Sequence, residues 1–172
     1  GGHGYQANRT AGNVEAVFSP DDRPIGGSHG GQGGRRNAYY LAPKPYGEIA
    51  NPSLPGGGGC GDYGNANGGG VVRITAGAAV IDGVVSADGD RSDSEDRGSG
   101  AGGSIYLDVG TLSGTGTIHA DGGAAHSSYE GGGGGGRVAI RYALIDGFDM
   151  ATITAAGGLS DGTAWISGAP GT

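Results

Sequence analysis

Apolar and polar residues alternate in short, recurring stretches through the second half of the chain. Ile105, Leu107 and Val109 fall on one face of an extended segment, with Tyr106 and Asp108 on the other. That two-residue period predicts a β-strand. Aligning Ala87-Asp88-Gly89 with Ala120-Asp121-Gly122 sets an offset of 33 residues, which brings Val72 onto Ile105, Ile74 onto Leu107, Ala76 onto Val109 and Val85 onto Ile118. Gly77 then falls on Gly110, and Gly83 on Gly116. A third copy carries Val138, Ile140 and Tyr142 at the same offset, then Ile153 and Ala155 at an offset of 35, the extra residues falling around Ile145-Asp146-Gly147.

Each copy reads as a glycine run, an alternating strand, a small-residue turn, a second alternating strand and an Ala-(Asp/Ala)-Gly stop. The inward set of the second strand is small: Gly83, Val85 and Ala87, then Gly116, Ile118 and Ala120, then Ala151, Ile153 and Ala155. No such unit holds enough apolar surface to fold alone, so the repeats are expected to stack and bury one another's faces. The fold class expected is all-β, a short β-solenoid resembling a parallel β-helix with packed glycine-rich extended segments. The alternative is antiparallel, a sandwich or meander of hairpins turning at Gly77 to Ala79 and Gly110 to Ser113. In-register stacking places Thr75, Asp108 and Arg141 in one outward ladder and predicts an Asp108–Arg141 ion pair. Residues 1–70 differ, forming an irregular layer rich in Gly, Pro and Tyr, so the chain reads as one domain (1–172) with three repeats of about 33 residues over 71–172.

Composition sharpens this picture, because 44 of the 172 residues are Gly. Ordering one backbone residue costs on the order of 1 to 2 kcal/mol. Runs such as Gly131 to Gly136, Gly56 to Gly59 and Gly68 to Gly70 therefore need compensation. Lacking side chains, they are expected to lie side by side in extended or polyproline-II-like form and to exchange backbone hydrogen bonds. The formal net charge is -7. No basic stripe exists to displace nucleic-acid counterions. No apolar run approaches the length of a membrane-spanning helix. The chain lacks an initiator Met and begins and stops within glycine-rich sequence, and so reads as a processed or excised module of something longer.

Candidate chemistry is sparse. Asp88, Asp90, Asp93 and Glu95 supply carboxylates within one loop, a donor set suited to Ca²⁺, although the spacing is not that of an EF-hand. A solvated acidic loop with no cofactor is the alternative. His3, His29, His119 and His126 share no metal-ligand spacing, and His3 and His29 sit in glycine turns that would use them as hydrogen-bond donors. No nucleophile elbow, phosphate loop or zinc motif is present. By analogy with polysaccharide-cleaving β-helices, Asp108, Arg141, Arg73 and His119 are candidates for an outward groove. Tyr39, Tyr40, Tyr46 and Tyr63 are candidates for stacking on sugars or on a neighbouring subunit, or else they cover the core. Cys60 is the single cysteine; it is either a buried thiol or a bridge between subunits.

One ordered series of motifs stands out: Gly26-Gly27-Ser28-His29-Gly30-Gly31-Gln32-Gly33-Gly34, Tyr46-Gly47-Glu48 with Pro52 and Pro55, Gly68-Gly69-Gly70-Val71-Val72-Arg73-Ile74, Gly102-Gly103-Ser104-Ile105-Tyr106-Leu107, Leu112-Ser113-Gly114-Thr115-Gly116-Thr117-Ile118, and Gly131 to Gly136 followed by Arg137-Val138-Ala139-Ile140. It resembles the glycine-rich β-repeat modules of very large secreted or surface-anchored microbial proteins, over nearly the whole chain. The resemblance implies an extracellular or cell-surface location and a structural or adhesive role without known catalysis. The expected partners are further copies of itself, assembling into a fibre, or other surface proteins. A glycan-binding module and a β-helix polysaccharide-cleaving enzyme are the alternatives.

Overall fold

The computed structural model describes residues 4–6, 9–10, 14–15, 25–35, 42–61, 66–93, 97–127, 130–160 and 167–172. The protein is all-β, and its described residues contain a single short helical turn, Met150–Thr152. A small antiparallel pair, β1 (Arg9–Thr10) and β2 (Val14–Glu15), precedes the repeats. Each repeat then supplies one long and one short strand: β3 (Val71–Val80) and β4 (Val84–Ser86), β5 (Ser104–Ser113) and β6 (Thr117–His119), β7 (Arg137–Asp146) and β8 (Ile153–Thr154). The long strands form one parallel sheet ordered β3-β5-β7 and the short strands another ordered β4-β6-β8. Both sheets are open.

Pairing follows the repeat. Val72 lies opposite Ile105 and Val138, Ile74 opposite Leu107 and Ile140, and Ala76 opposite Val109 and Tyr142. Val85 lies opposite Ile118, which lies opposite Ile153. Like residues stack because a parallel ladder joins equivalent positions of successive copies. The antiparallel sandwich or meander is therefore overturned. The glycines expected to make its hairpins instead lie inside continuous ten-residue strands, Gly77 in β3 and Gly110 in β5. The turn comes later, at Gly114, whose φ of +110° lies where side chains are disfavoured.

The core fills the space between the two sheets. Ile105, Leu107, Leu112, Ile118 and Ala120 of the middle repeat are fully enclosed, while Val72, Ile74, Val138, Ile140 and Ile153 of the outer repeats are only partly buried against them. The middle long strand has a neighbouring repeat on both sides and each outer one on a single side. The second-strand pattern holds for Val85, Ala87, Ile118 and Ala120, but Ala151 falls in the helical turn and is exposed.

Glycine runs make the third layer. Within Gly131 to Gly136 the backbone bonds recur every three residues: Ser99 N and Gly102 N donate to Gly131 O and Gly134 O, Gly34 N and Gly31 N to Gly132 O and Gly135 O, and Gly133 N and Gly136 N to Gly123 O and Ala120 O. A step of three is the period of a polyproline-II helix, which makes no internal hydrogen bonds and turns successive amides toward different neighbours. One run thus exchanges bonds with segments on several sides, and its backbone is satisfied without a sheet. The neighbours lie so near that a Cβ on Gly133 would collide with the carbonyl oxygen of Gly100, and one on Gly100 with that of Asn67.

Candidate functional site

The last residues of the short strands carry a file of polar side chains. Register aligns Ser86, His119 and Thr154 in one file. Asp88 and Asp121, one repeat apart, flank that file. Asp121 N donates to Asp88 Oδ1 at 2.7 Å, and Ala156 N donates to Asp121 Oδ1 at 2.6 Å. The second oxygens repeat the theme: Asp88 Oδ2 accepts from Ser86 Oγ at 2.8 Å and lies 2.6 Å from His119 Nδ1, and Asp121 Oδ2 accepts from Thr154 Oγ1 at 2.9 Å. Each Asp therefore grips the backbone of the next copy. The series ends at Ala156, which has no carboxylate to continue it.

Asp88, His119 and Asp121 bring one ligand atom each within 4.8 Å of one another, the spacing a divalent cation needs. Their oxygens are already engaged as acceptors, so a cation would have to replace those stitches. Among the described residues, the loop carboxylates read from the sequence turn to separate partners. Asp88 belongs to this seam, Asp90 accepts from Asn67 N and Nδ2, and Asp93 pairs with Arg97. Glu95 lies outside the described residues. Among the described residues the most buried carboxylate is one that no sequence motif marks: Glu130 is enclosed, and its Oε2 accepts from Ser92 Oγ at 2.6 Å and His126 N at 2.8 Å. Its other oxygen is buried without a partner.

His29 is enclosed among glycine runs. Its Nδ1 sits 2.9 Å from Gly102 O and 3.1 Å from Gly103 O, which assigns the proton to that nitrogen. Tyr46 packs against the imidazole with ring centroids 4.9 Å apart and donates its hydroxyl to Pro55 O at 2.7 Å. This tyrosine is a packing residue, while Tyr39, Tyr40, Tyr63 and His3 lie outside the described residues. Arg137, also buried, donates through Nε to Tyr46 O and through Nη1 to Thr172 Oγ1. Burial, aided by the Arg137 charge and opposed by the two carbonyls, lowers the His29 pKa from 6.5 to about 4.

A depressed histidine pKa means that the unfolded chain binds the proton first. The stabilisation from a neutral His29 is complete above pH 6.5 and declines as the pH falls from 6.5 to about 4. A shift of that size corresponds to about 3 kcal/mol. Chemical denaturation at a series of pH values is expected to show this loss in the wild type and a flatter profile in His29→Gln; identical profiles would remove His29 as the cause.

Asp108 and Arg141 stand opposite each other in the register, with Thr75 opposite Asp108. The expected ion pair is absent among the described residues. Instead Arg73 lies over the Tyr106 ring at 4.3 Å and Arg141 approaches it at 5.9 Å. A guanidinium on an aromatic face keeps its contact with water, whereas an exposed ion pair is worth roughly 0 to 1 kcal/mol. Arg73 also donates to Pro52 O and Asn51 Oδ1, so it ties the irregular layer to the sheet. No groove forms from Arg73, Asp108, Arg141 and His119, since His119 belongs to the other sheet.

Cys60 is buried beside Ile25 and Ala42, and burial pushes its thiol up to about 12. A subunit-bridging disulfide through it would require the layer to open. The thiol is expected to resist an aromatic disulfide reagent under native conditions and to react at once in denaturant; fast native labelling would contradict its enclosure.

An open depression of about 450 Å³ lies against the third repeat, lined by Val138, Ile153, Ala155, Pro170 and Thr172 among others. Among the described residues no helix is long and apolar enough to cross a membrane. No family model, curated protein or solved structure matches this chain.

Proposed function

We propose that the protein is a non-enzymatic structural or adhesive module of an extracellular or cell-surface protein of a microbe, built as a short β-solenoid-like stack. In this reading each coil runs along the long-strand sheet, crosses to the short-strand sheet and returns through the glycine layer. The observation that carries it is the use made of the polar side chains. Asp88 and Asp121 stitch successive copies together, Arg73 and Tyr46 fasten the irregular layer, and Asp93 pairs with Arg97. Groups held this way reinforce a scaffold and are poorly placed to exchange protons with a substrate.

Display on a heterologous bacterial surface tests the reading. Cells carrying the chain are expected to clump or to adhere to surfaces, without releasing reducing ends from polysaccharides. Cells that neither clump nor adhere would sink it, and polysaccharide cleavage would revive the enzymatic alternative. Saturable binding to one class of glycan would replace it with the glycan-binding reading.

A further inference from the structure

The repeat sets His119 between two carboxylates. Ser86, His119 and Thr154 occupy one file position in three successive copies, and Asp88 and Asp121 occupy the position two residues on in the first two. Where the file residue is a hydroxyl, it serves a carboxylate: Ser86 Oγ donates to Asp88 Oδ2 at 2.8 Å, and Thr154 Oγ1 to Asp121 Oδ2 at 2.9 Å. A hydroxyl is therefore enough for the contact. The middle copy places an imidazole there instead, with its Nδ1 2.6 Å from Asp88 Oδ2. One ligand atom from each of Asp88, His119 and Asp121 lies within 4.8 Å of the others. The backbone contacts use the first oxygens, since Asp88 Oδ1 holds Asp121 N and Asp121 Oδ1 holds Ala156 N. The second oxygens and the imidazole nitrogen are held by side chains, which can turn. The cluster is also open to solvent: the side chains of Asp88 and His119 are 35% and 26% exposed.

We propose that Asp88, His119 and Asp121 form a site for one divalent first-row transition ion, of which Zn²⁺ is the best fit, and that the ion clasps the first repeat to the second. Imidazole nitrogen and carboxylate oxygen together suit Zn²⁺ and its neighbours, whereas Ca²⁺ takes about six to eight oxygens. Two carboxylates and a neutral imidazole also balance the charge of the ion. Three protein ligands leave the remaining positions to water from the open side. The ion replaces the side-chain stitches, taking the place of the hydroxyl hydrogens on the second oxygens and of the proton on Nδ1. The first oxygens keep their backbone amides. This site shares only Asp88 with the loop carboxylates grouped by sequence, and it depends on register: Asp88 comes from one copy, His119 and Asp121 from the next. The inference does not rest on the adhesive reading and stands or falls separately from it.

Isothermal titration of the full chain, first stripped with a chelator, tests it with Zn²⁺ alone and with Ca²⁺ alone. The wild type is expected to bind one Zn²⁺, with a melting temperature that rises as Zn²⁺ is added, and to bind Ca²⁺ at least about tenfold more weakly. His119→Ser copies the residue that the first repeat carries at this position, and Asp121→Asn keeps an oxygen for Ala156 N. Both are expected to melt near the wild type without metal, which shows that they fold, and to lose at least about tenfold in Zn²⁺ affinity. His126→Gln, at an exposed position outside the cluster, is expected to bind like the wild type. In the His119→Ser background, adding Thr154→His and Ala156→Asp, both at exposed positions, moves the constellation one repeat on beside Asp121 and is expected to restore binding of one ion. A wild type that neither binds Zn²⁺ nor gains thermal stability from it would overturn the inference. Binding undiminished in both His119→Ser and Asp121→Asn would overturn it by placing the ion elsewhere, and Ca²⁺ bound as tightly as Zn²⁺ would overturn the choice of ion.

Discussion

Gly133→Ala is expected to unfold or severely destabilise the protein, whereas Gly77→Ala is expected to leave it intact or slightly more stable. Gly133 is buried in the central glycine run, and the space a methyl group needs holds the carbonyl oxygen of Gly100. Its amide donates to Gly123 O, and its carbonyl accepts from Gly158 N. Moving one run aside strains every segment bonded to it. Overpacking alone costs about 1 to 3 kcal/mol, and each broken buried bond adds about 1 to 3 kcal/mol. A total of at least about 3 kcal/mol lowers the melting temperature by roughly 10 °C in a chain of this size. Gly77 has open space where its Cβ would point and no positive φ. Alanine there stiffens the unfolded chain and gains up to about 1 kcal/mol. Thermal unfolding of the two variants beside the wild type is the measurement; equal melting temperatures would show that the glycine layer is not close-packed.

Truncating the same stacked position in the three repeats is expected to give unequal losses. Leu107→Ala, at the fully enclosed middle position, should cost about 3 to 4 kcal/mol through lost burial and a residual cavity. Ile74→Ala and Ile140→Ala, in the partly buried outer repeats, should each cost about 1 to 2 kcal/mol, because water already reaches part of each side chain. Urea denaturation of the three variants separates the outcomes. Equal costs would mean that the outer positions are as fully covered as the middle one.

Much of the long-strand sheet is legible in the sequence. The offset of 33 matches Val72 to Ile105 and Ile105 to Val138, and those residues pair in the parallel ladder. The two-residue insertion of the third copy also falls where the alignment puts it, with Ile118 opposite Ile153. Alternation names the core face of the long strands because side-chain direction in a strand depends only on the parity of the position. The glycine runs announce a layer without side chains, and the layer exists. The same local reasoning fails at Gly77 and Gly110. A glycine is compatible with a hairpin and with a continuous strand, and only the neighbouring copies choose between them.

Polar side chains are less legible, for a related reason. Nearness in sequence groups the acids of one loop, yet Asp88, Asp90 and Asp93 find partners in three different directions. Asp121 is visible in the second Ala-Asp-Gly stop, and its part in the stitch is implied by the offset that aligns it with Asp88. Nothing local marks Glu130, whose partner Ser92 is 38 residues away. The register sets Asp108 and Arg141 side by side, but the guanidiniums of Arg73 and Arg141 turn to Tyr106.

The sequence by itself determined the repeat, its register, the stacking of like residues and the need for glycine to pack against backbone, because each follows from periodicity carried along one chain. Tertiary structure alone decided which way the strands turn, which polar groups are buried and how the carboxylates sew one copy to the next. Those outcomes depend on segments far apart in sequence meeting at contact distance, and no local pattern encodes which of them will meet.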